Sequence, residues 1–184
     1  MNDSFSYPKS RSTTVLAVRH KGKTAIGADG QVSFDDTIMK AGADKLRTLA
    51  DGKVVVGFAG GVADALTLFD RFEEKLRSYP RDTRRAAVEL AKEWRTDRAL
   101  RRLESLLVVA TRKELLLLSG QGDVIEPDDG VLSVGSGSPY ATASARALIR
   151  HAKGMDAEKI VRESLGIAAE ICVFTNDRLH VETL

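Results

Sequence analysis

The sequence predicts an α+β protein in which two β-sheets are packed between two pairs of helices. Residues 13–59 carry closely spaced strand patterns before any helix begins, which argues against alternating βαβ units. Apolar residues then recur every three or four positions over 62–79 and 83–103. Strands, a second helix pair and a final hairpin follow. Two helix pairs flanking two packed sheets is the simplest arrangement that covers every apolar face, a four-layer α-β-β-α sandwich.

The first half of the chain reads as closely spaced strands followed by two helices. Residues 13–20 and 23–28 form a hairpin around Lys21-Gly22, a polar loop covers 30–43, and strands follow near Lys45 and over 53–59. The first helix ends at Pro80. Asp82 or Thr83 can cap the second, whose expected buried face is Ala86, Ala87, Leu90, Trp94 and Leu103.

The second half repeats the order. We expect strands over 105–111, 114–119 and 131–134, then a helix from Pro139 to His151. Asp156 is placed to cap a helix that runs to about residue 169. The chain then closes as a hairpin, with strands over 171–175 and 179–182 around Asn176-Asp177.

Composition excludes several classes of protein. The formal net charge is +2, from 28 basic and 26 acidic residues, which gives no case for nucleic acid as the main partner. No apolar run approaches the ~20 residues needed to span a bilayer, so no membrane partner is expected. A single cysteine cannot form an internal disulfide, and residues 1–12 lack the apolar centre of a secretory signal. These features predict a cytoplasmic protein.

Three residues at equal spacing are candidates for chemistry. Asp29 follows Thr13 by sixteen residues, and Lys45 follows Asp29 by sixteen more. Each has an ordinary interpretation, as a strand threonine, a turn acid before Gly30 and an exposed lysine. Alternatively, Thr13 becomes the first residue of a mature protein. Its hydroxyl is then a nucleophile and its freed α-amine, with a pKa of about 7.7–8.0, is the base.

Several segments together make the sequence similar to the threonine peptidases of the proteasome family. The likeness runs from Thr13 to nearly the end of the chain. The segments that carry it are Thr13-Thr14-Val15, Gly27-Ala28-Asp29-Gly30-Gln31, Gly57-Phe58-Ala59-Gly60-Gly61, Ala63-Asp64-Ala65, Trp94-Arg95-Thr96-Asp97-Arg98 and Gly135-Ser136-Gly137. The resemblance implies an N-terminal nucleophile hydrolase fold and an endopeptidase that cuts unfolded polypeptides inside a closed chamber.

The resemblance also implies residue roles. Thr13 is the nucleophile, Lys45 lowers the proton affinity of its amine and hydroxyl, and Asp29 holds Lys45. The backbone N–H of Gly60 donates to the oxyanion, and Ser136 hydrogen-bonds near the terminal amine.

Further implications concern processing, ions and partners. Residues 1–12 are expected to be a leader that is removed, leaving 13–184 as one peptidase domain. The backbone carbonyls of Ala169, Cys172 and Thr175 match a site for a monovalent cation such as Na⁺, although position 169 is alanine where close family members have glycine. The partners expected are copies of the chain in hexameric rings, stacked as a dodecamer, and an AAA+ unfoldase that supplies the only use of ATP.

Two alternatives remain open at this stage. The chain is a non-catalytic ring subunit of the same fold if Thr13 stays blocked behind Ser12. It is a nucleotide-binding module if Gly135-Ser136-Gly137 holds phosphate, but a helix follows there instead of a second strand bearing an acid about 20 residues on.

Overall fold

A computed structural model describes residues 13–103 and 105–184. The predicted leader over 1–12 therefore lies outside the described residues. No helix in the described part is long and apolar enough to cross a membrane.

The described residues form eleven strands and four helices. In chain order they are β1 (Thr14–His20), β2 (Lys23–Ala28), β3 (Val32–Phe34), β4 (Thr37–Lys40), β5 (Leu46–Leu49), β6 (Val54–Gly60), α1 (Val62–Ser78), α2 (Thr83–Thr96), β7 (Ser105–Thr111), β8 (Leu115–Ser119), β9 (Val124–Ile125), β10 (Val131–Gly135), α3 (Ser138–His151), α4 (Ala157–Ile171) and β11 (His180–Thr183). A single 3-10 turn, Leu100–Arg102, separates α2 from β7.

Three apolar clusters show that the elements stack in four layers. One sheet has the strand order β10-β1-β2-β11 and the other β5-β6-β7-β8-β9. The first cluster joins α1 and α2 to the second sheet, the middle cluster lies between the sheets, and the third joins the first sheet to α3 and α4. The expected α-β-β-α sandwich is therefore confirmed.

The strand β1 is central because both of its neighbours contribute to the candidate site. It pairs antiparallel with β10, with Thr14 opposite Gly135, and with β2, with Val15 opposite Ala28. This double register places Thr13 beside the turn after β10 and beside Asp29, the residue that follows β2. The predicted β1–β2 hairpin is confirmed, and it sets the first pair of candidate residues side by side.

The predicted hairpin at the end of the chain is wrong in its first strand. Residues 171–175 are rich in β-branched and apolar types, but α4 continues through Ile171 and Cys172 caps it, its N–H donating to the carbonyl of Ala168. The carbonyl of Val173 accepts from Nε2 of Gln31 instead of a strand partner. β11 pairs with β2, so the segment 172–179 lies against the loop after β2.

Three smaller differences separate prediction from structure. The loop over 30–43 contains the β3–β4 hairpin, and the short strand β9 was not predicted. The second helix stops at Thr96, because the carboxylate of Asp97 accepts from the N–H groups of Ala99 and Leu100 and starts the 3-10 turn. Leu103 is therefore not on that helix, although it still packs against the same core cluster.

Candidate active site

The ion pair of Lys45 and Asp29 lies at the centre of the candidate site. Nζ of Lys45 is 2.8 Å from Oδ1 of Asp29, and the two side chains are 2% and 0% exposed. Lys45 immediately precedes β5 and Asp29 immediately follows β2, so the pair joins the end of an inner strand of the first sheet to the start of an edge strand of the second. Burial lowers the pKa of Lys45 below its ordinary value, while the charge and hydrogen bond of Asp29 oppose that effect.

Asp29 also fixes the backbone next to Thr13. Its Oδ1 accepts from the N–H of Thr14 at 2.8 Å, so one carboxylate oxygen serves both Thr14 and Lys45. Its Oδ2 accepts from the N–H of Gln31 at 2.9 Å and from that of Asn176 at 3.4 Å. With four donors, the buried carboxylate is satisfied as an anion. The ammonium of Lys45 is thereby held beside the Thr13–Thr14 peptide.

The turn after β10 holds Thr13 from the other side. The carbonyl of Thr13 accepts from the N–H of Ser136 at 2.9 Å. Gly135 has a φ of 98°, and a Cβ there would overlap that same carbonyl. Thr13 itself is buried. The glycine is needed for a close approach of two backbones, a role that does not involve phosphate.

A hydroxyl pair ties Thr14 to the segment after α4. Oγ1 of Thr14 and Oγ1 of Thr175 are 2.7 Å apart, and the N–H of Gly137 donates to Oγ1 of Thr14 at 2.9 Å. Sequence reasoning missed this contact and assigned Thr175 only through its carbonyl. Both threonines are buried, so the bond links the start of β1 to the 172–179 segment.

Asn176 makes a second link between that segment and the site. Its Oδ1 accepts from the N–H groups of Gly30 and Arg178, and its Nδ2 donates to the carbonyl of Ala41. Sequence reasoning treated it as a hairpin turn residue. The asparagine next to a strand-like run is typical of a turn, and nothing in the sequence indicated a partner more than a hundred positions away.

Gly60 ends β6 in a backbone conformation that favours glycine. Its φ is 136°, and the next residue, Gly61, is the N-cap of α1 and makes no side-chain cap hydrogen bond. The β5–β6 register pairs Leu46 with Gly57, which places Lys45 close to Phe58, two residues before Gly60. A Cβ on Gly57 would lie 2.7 Å from Cγ1 of Val15, so β6 also passes close to β1 at that point. Gly60 therefore lies at the same end of the sandwich as the ion pair.

The carbonyls proposed for a cation lie around the end of α4. Ala169 lies in the last turn of the helix, where carbonyls lose their intrahelical partners, and Cys172 is the cap. The N–H of Thr175 donates to the carbonyl of Cys172 at 3.0 Å, forming a tight turn. Among residues 13–103 and 105–184, no three His, Cys, Asp or Glu side chains form a group able to hold a metal ion.

Comparison with known proteins places the chain in a family. The model of the family described as "Proteasome subunit" matches residues 9–184. The chain therefore belongs to the proteasome family, and the N-terminal nucleophile hydrolase type of fold expected from the sequence is confirmed.

Within that family, several similar proteins share one name. The chain is 57% identical over 176 residues to the "ATP-dependent protease subunit HslV" of Amoebophilus asiaticus, covering 96% of this chain and 98% of that protein. It is 55% identical over 174 residues to the protein of the same name from Pseudothermotoga lettingae, covering 95% and 98%. The crystal structure of eukaryotic HslV from Trypanosoma brucei superimposes with a TM-score of 0.88 at 48% identity, covering 93% of this chain and 98% of that one.

Proposed function

We propose that this chain is the threonine endopeptidase subunit of an ATP-dependent bacterial protease, with Thr13 as its N-terminal nucleophile. The observation that carries the proposal is the buried Asp29 oxygen shared by the Lys45 ammonium and the Thr14 N–H. A buried ion pair adds little net stability over apolar residues of the same volume. A charged lysine held beside the first residues of the mature chain is what a catalytic subunit needs, and the names of the HslV relatives agree with it.

The proposed reaction proceeds in two steps. Oγ of Thr13 attacks the peptide carbonyl carbon while the α-amine of Thr13 takes the hydroxyl proton. The amine then returns this proton to the leaving nitrogen, so the peptide bond breaks and an ester to Thr13 remains. Water attacks that ester with the same amine as base, which frees the carboxylic product and restores the hydroxyl. In both steps the oxygen that becomes negative is stabilised by the N–H of Gly60.

Lys45 and Ser136 act on the amine in this mechanism. The positive charge of Lys45 disfavours protonation of the neighbouring amine, so the amine is a free base closer to neutral pH. Oδ1 of Asp29 holds Nζ of Lys45 at 2.8 Å, and both side chains stay buried. The backbone N–H of Ser136 holds the Thr13 carbonyl, and the proposed role of the serine hydroxyl is to relay a proton at the terminal amine.

The assembly proposed for the chain is a chamber of stacked hexameric rings in the cytoplasm, fed by an AAA+ unfoldase of the HslU type. The relatives are named as subunits of an ATP-dependent protease. Here the glycine-rich turn at 135–137 is packed against Thr13 and Thr14, so it does not cradle a nucleotide. ATP hydrolysis is therefore assigned to the partner, and the substrates are polypeptides that the partner has unfolded.

A monovalent cation such as Na⁺ is proposed at the carbonyls of Ala169, Cys172 and Thr175. These are backbone oxygens, and alanine in a helical conformation supplies the same atom as glycine, so the residue at 169 fits the group. When bound, the cation would neutralise the partial negative charge at the end of α4. The segment it would order is the one whose Thr175 hydroxyl bonds Thr14 and whose Asn176 N–H bonds Asp29.

The experiment that tests the function is cleavage of a fluorogenic peptide by the purified assembly. We expect turnover by the wild type with its partner ATPase, and none by Thr13→Ala at the same ring concentration. Replacing Na⁺ in the buffer by choline should lower the rate if the cation site is used. An assembled wild-type ring that cleaves nothing in the presence of the ATPase would instead identify the chain as a non-catalytic subunit.

A further inference from the structure

His180 lies between two carboxylates at the surface of the protein. Its Nδ1 is 2.9 Å from Oδ1 of Asp44, and its Nε2 is 2.9 Å from Oε1 of Glu182. The imidazole is 42% exposed. None of these three residues belongs to the site described above, and Asp44 is the residue directly before Lys45.

The chemistry of the contacts fixes the charge of the ring. A neutral imidazole has one N–H donor and one acceptor nitrogen, whereas an ionised carboxylate can only accept. Two carboxylates on opposite nitrogens therefore require both nitrogens to carry a proton. Partial burial alone would lower the pKa of His180, but the hydrogen bonds and charges of Asp44 and Glu182 outweigh it and raise the pKa above its ordinary value.

The cluster connects the same two sheets as the Lys45–Asp29 ion pair. His180 begins β11, the edge strand of the first sheet, and Asp44 lies two residues before β5, the edge strand of the second. Oδ1 of Asp44 also accepts from the N–H of Leu46 at 3.1 Å. This hydrogen bond closes a short turn that contains Lys45. The consecutive residues Asp44 and Lys45 thus contact two neighbouring parts of the first sheet: Asp44 contacts His180 of β11, and Lys45 contacts Asp29, the residue after β2.

Among residues 13–103 and 105–184, Asp44 and Glu182 are the charged groups that act on the ring. Along β11, alternate residues face opposite sides of the sheet, so His180 and Glu182 share a face. Val181 points the other way, toward Val161 and Leu165 of α4. The paired strand β2 presents Ala28 opposite His180 and Ile26 opposite Glu182. Asp44 and Glu182 are therefore the titratable groups that face the imidazole.

We propose that His180 is a positioning residue. As a cation it holds the turn between Asp44 and Leu46 against β11, and this contact fixes the position of the Lys45 ammonium relative to Thr13. The inference rests on the proposed peptidase function, because its effect is exerted through Lys45. Loss of the imidazole proton breaks one of the two contacts and loosens the turn. The active-site geometry is then sensitive to pH through a residue that never touches substrate.

The sign of the effect on stability follows from the raised pKa. The stabilisation from this cluster is present in full below the unfolded-state value of about 6.5. It is lost as the pH rises through the higher folded-state value. Positioning of Lys45 should be lost over the same pH interval. As the pH rises, deprotonation of the Thr13 amine increases the activity, and deprotonation of His180 reduces that gain.

The first test measures the protonation of His180 directly in the assembled protein. Proton–carbon correlation spectra of the histidine-labelled chain, titrated with pH, give the imidazole pKa, and His180→Gln assigns the signal. We expect a pKa above 6.5 that falls in Asp44→Asn. A wild-type value at or below 6.5 would overturn the proposal, and this readout does not depend on peptidase activity.

The second test measures kcat/KM for a fluorogenic peptide from about pH 6 to pH 9, across the titration range of histidine. His180→Gln should be about three- to tenfold slower than the wild type at the acid end, and the difference should shrink as the pH rises. His180→Lys keeps a cation and should recover most of the rate. His151→Gln, an exposed histidine at the end of α3, is the matched control and should keep the wild-type profile.

The failures of the two proposals can be told apart. A ratio of wild type to His180→Gln that stays constant with pH, or no recovery in an assembled His180→Lys ring, would show that the residue is merely structural. A wild type without peptidase activity would overturn the proposed function, while the titration in the spectra would still decide the charge of His180.

Discussion

The ammonium of Lys45 and the carboxylate of Asp29 are 2.8 Å apart and almost completely shielded from solvent. Removing one partner of such a pair usually leaves a buried charge and is strongly destabilising. Asp29 is an exception, because the N–H groups of Thr14, Gln31 and Asn176 also donate to it. The loss of Lys45 can therefore be separated from the loss of the fold.

Lys45→Ala should abolish peptide cleavage and leave the rings assembled. Without the ammonium, the Thr13 amine keeps its proton to higher pH and the oxygen nucleophile is not activated. Lys45→Arg should also be poor, since the planar guanidinium places its charge differently. The measurements are steady-state cleavage and size-exclusion chromatography, with Lys53→Ala, an exposed lysine in the turn before β6, as control. Near-normal turnover in an assembled Lys45→Ala ring would remove Lys45 from the mechanism.

The position of Asp29 near Thr13 could be predicted from the sequence because the β1–β2 hairpin follows local rules, whereas the pairing of Asp29 with Lys45 was implied only by the resemblance to the proteasome family. β2 follows β1 through a two-residue turn, so Asp29 had to lie near Thr13. The layers were also predictable, since helical and strand periods alternate cleanly along the chain.

The segment 172–179 could not be anticipated in the same way. Residues 171–175 have the composition of a strand, and local preference alone predicts one. Side chains distant in sequence determine the outcome instead, with Gln31 bonding Val173 and Thr14 bonding Thr175. The contact of His180 with Asp44 likewise spans 136 positions, and no local pattern indicates it.

Gly135→Ala should disrupt the site by a steric mechanism. A Cβ at this position would collide with the Thr13 carbonyl, and the positive φ of 98° adds strain. Gly154→Ala is the matched control, because Gly154 also has a positive φ, of 80°, but a Cβ there meets no atom within 4 Å. We expect Gly135→Ala to lose cleavage by at least about a hundredfold, while Gly154→Ala keeps most of its activity and loses only some thermal stability. Equal activity in the two variants would show that the close approach at Gly135 is not needed for catalysis.

The partner ATPase should be required for folded substrates. A chamber containing threonine nucleophiles is selective only if entry is controlled, so an AAA+ unfoldase with ATP should enable degradation of a folded protein and raise cleavage of small peptides. The assay compares a stable fluorescent protein and a short peptide, each with and without the ATPase. Complete degradation of the folded protein by this chain alone would contradict the proposed assembly.

The chain that begins at Met1 should be an inactive precursor. In it the nitrogen of Thr13 is an amide bonded to Ser12, and an amide nitrogen cannot act as a base near neutral pH. Oγ of Thr13 can instead attack the carbonyl of Ser12, with the Gly60 N–H stabilising the oxyanion as it would for a substrate. The nitrogen of Thr13 then leaves as the free amine, and water hydrolyses the ester to release residues 1–12.

Intact mass measurement after expression should therefore find a chain that begins at Thr13. Thr13→Ala has no hydroxyl to attack Ser12, so it should keep the leader if processing is autocatalytic. Removal of the leader from Thr13→Ala would point to a separate peptidase and leave the proposed active site unchanged. A wild type that retains all 184 residues and still cleaves peptides would rule out the terminal amine as the base, because Thr13 would then act with its nitrogen still acylated.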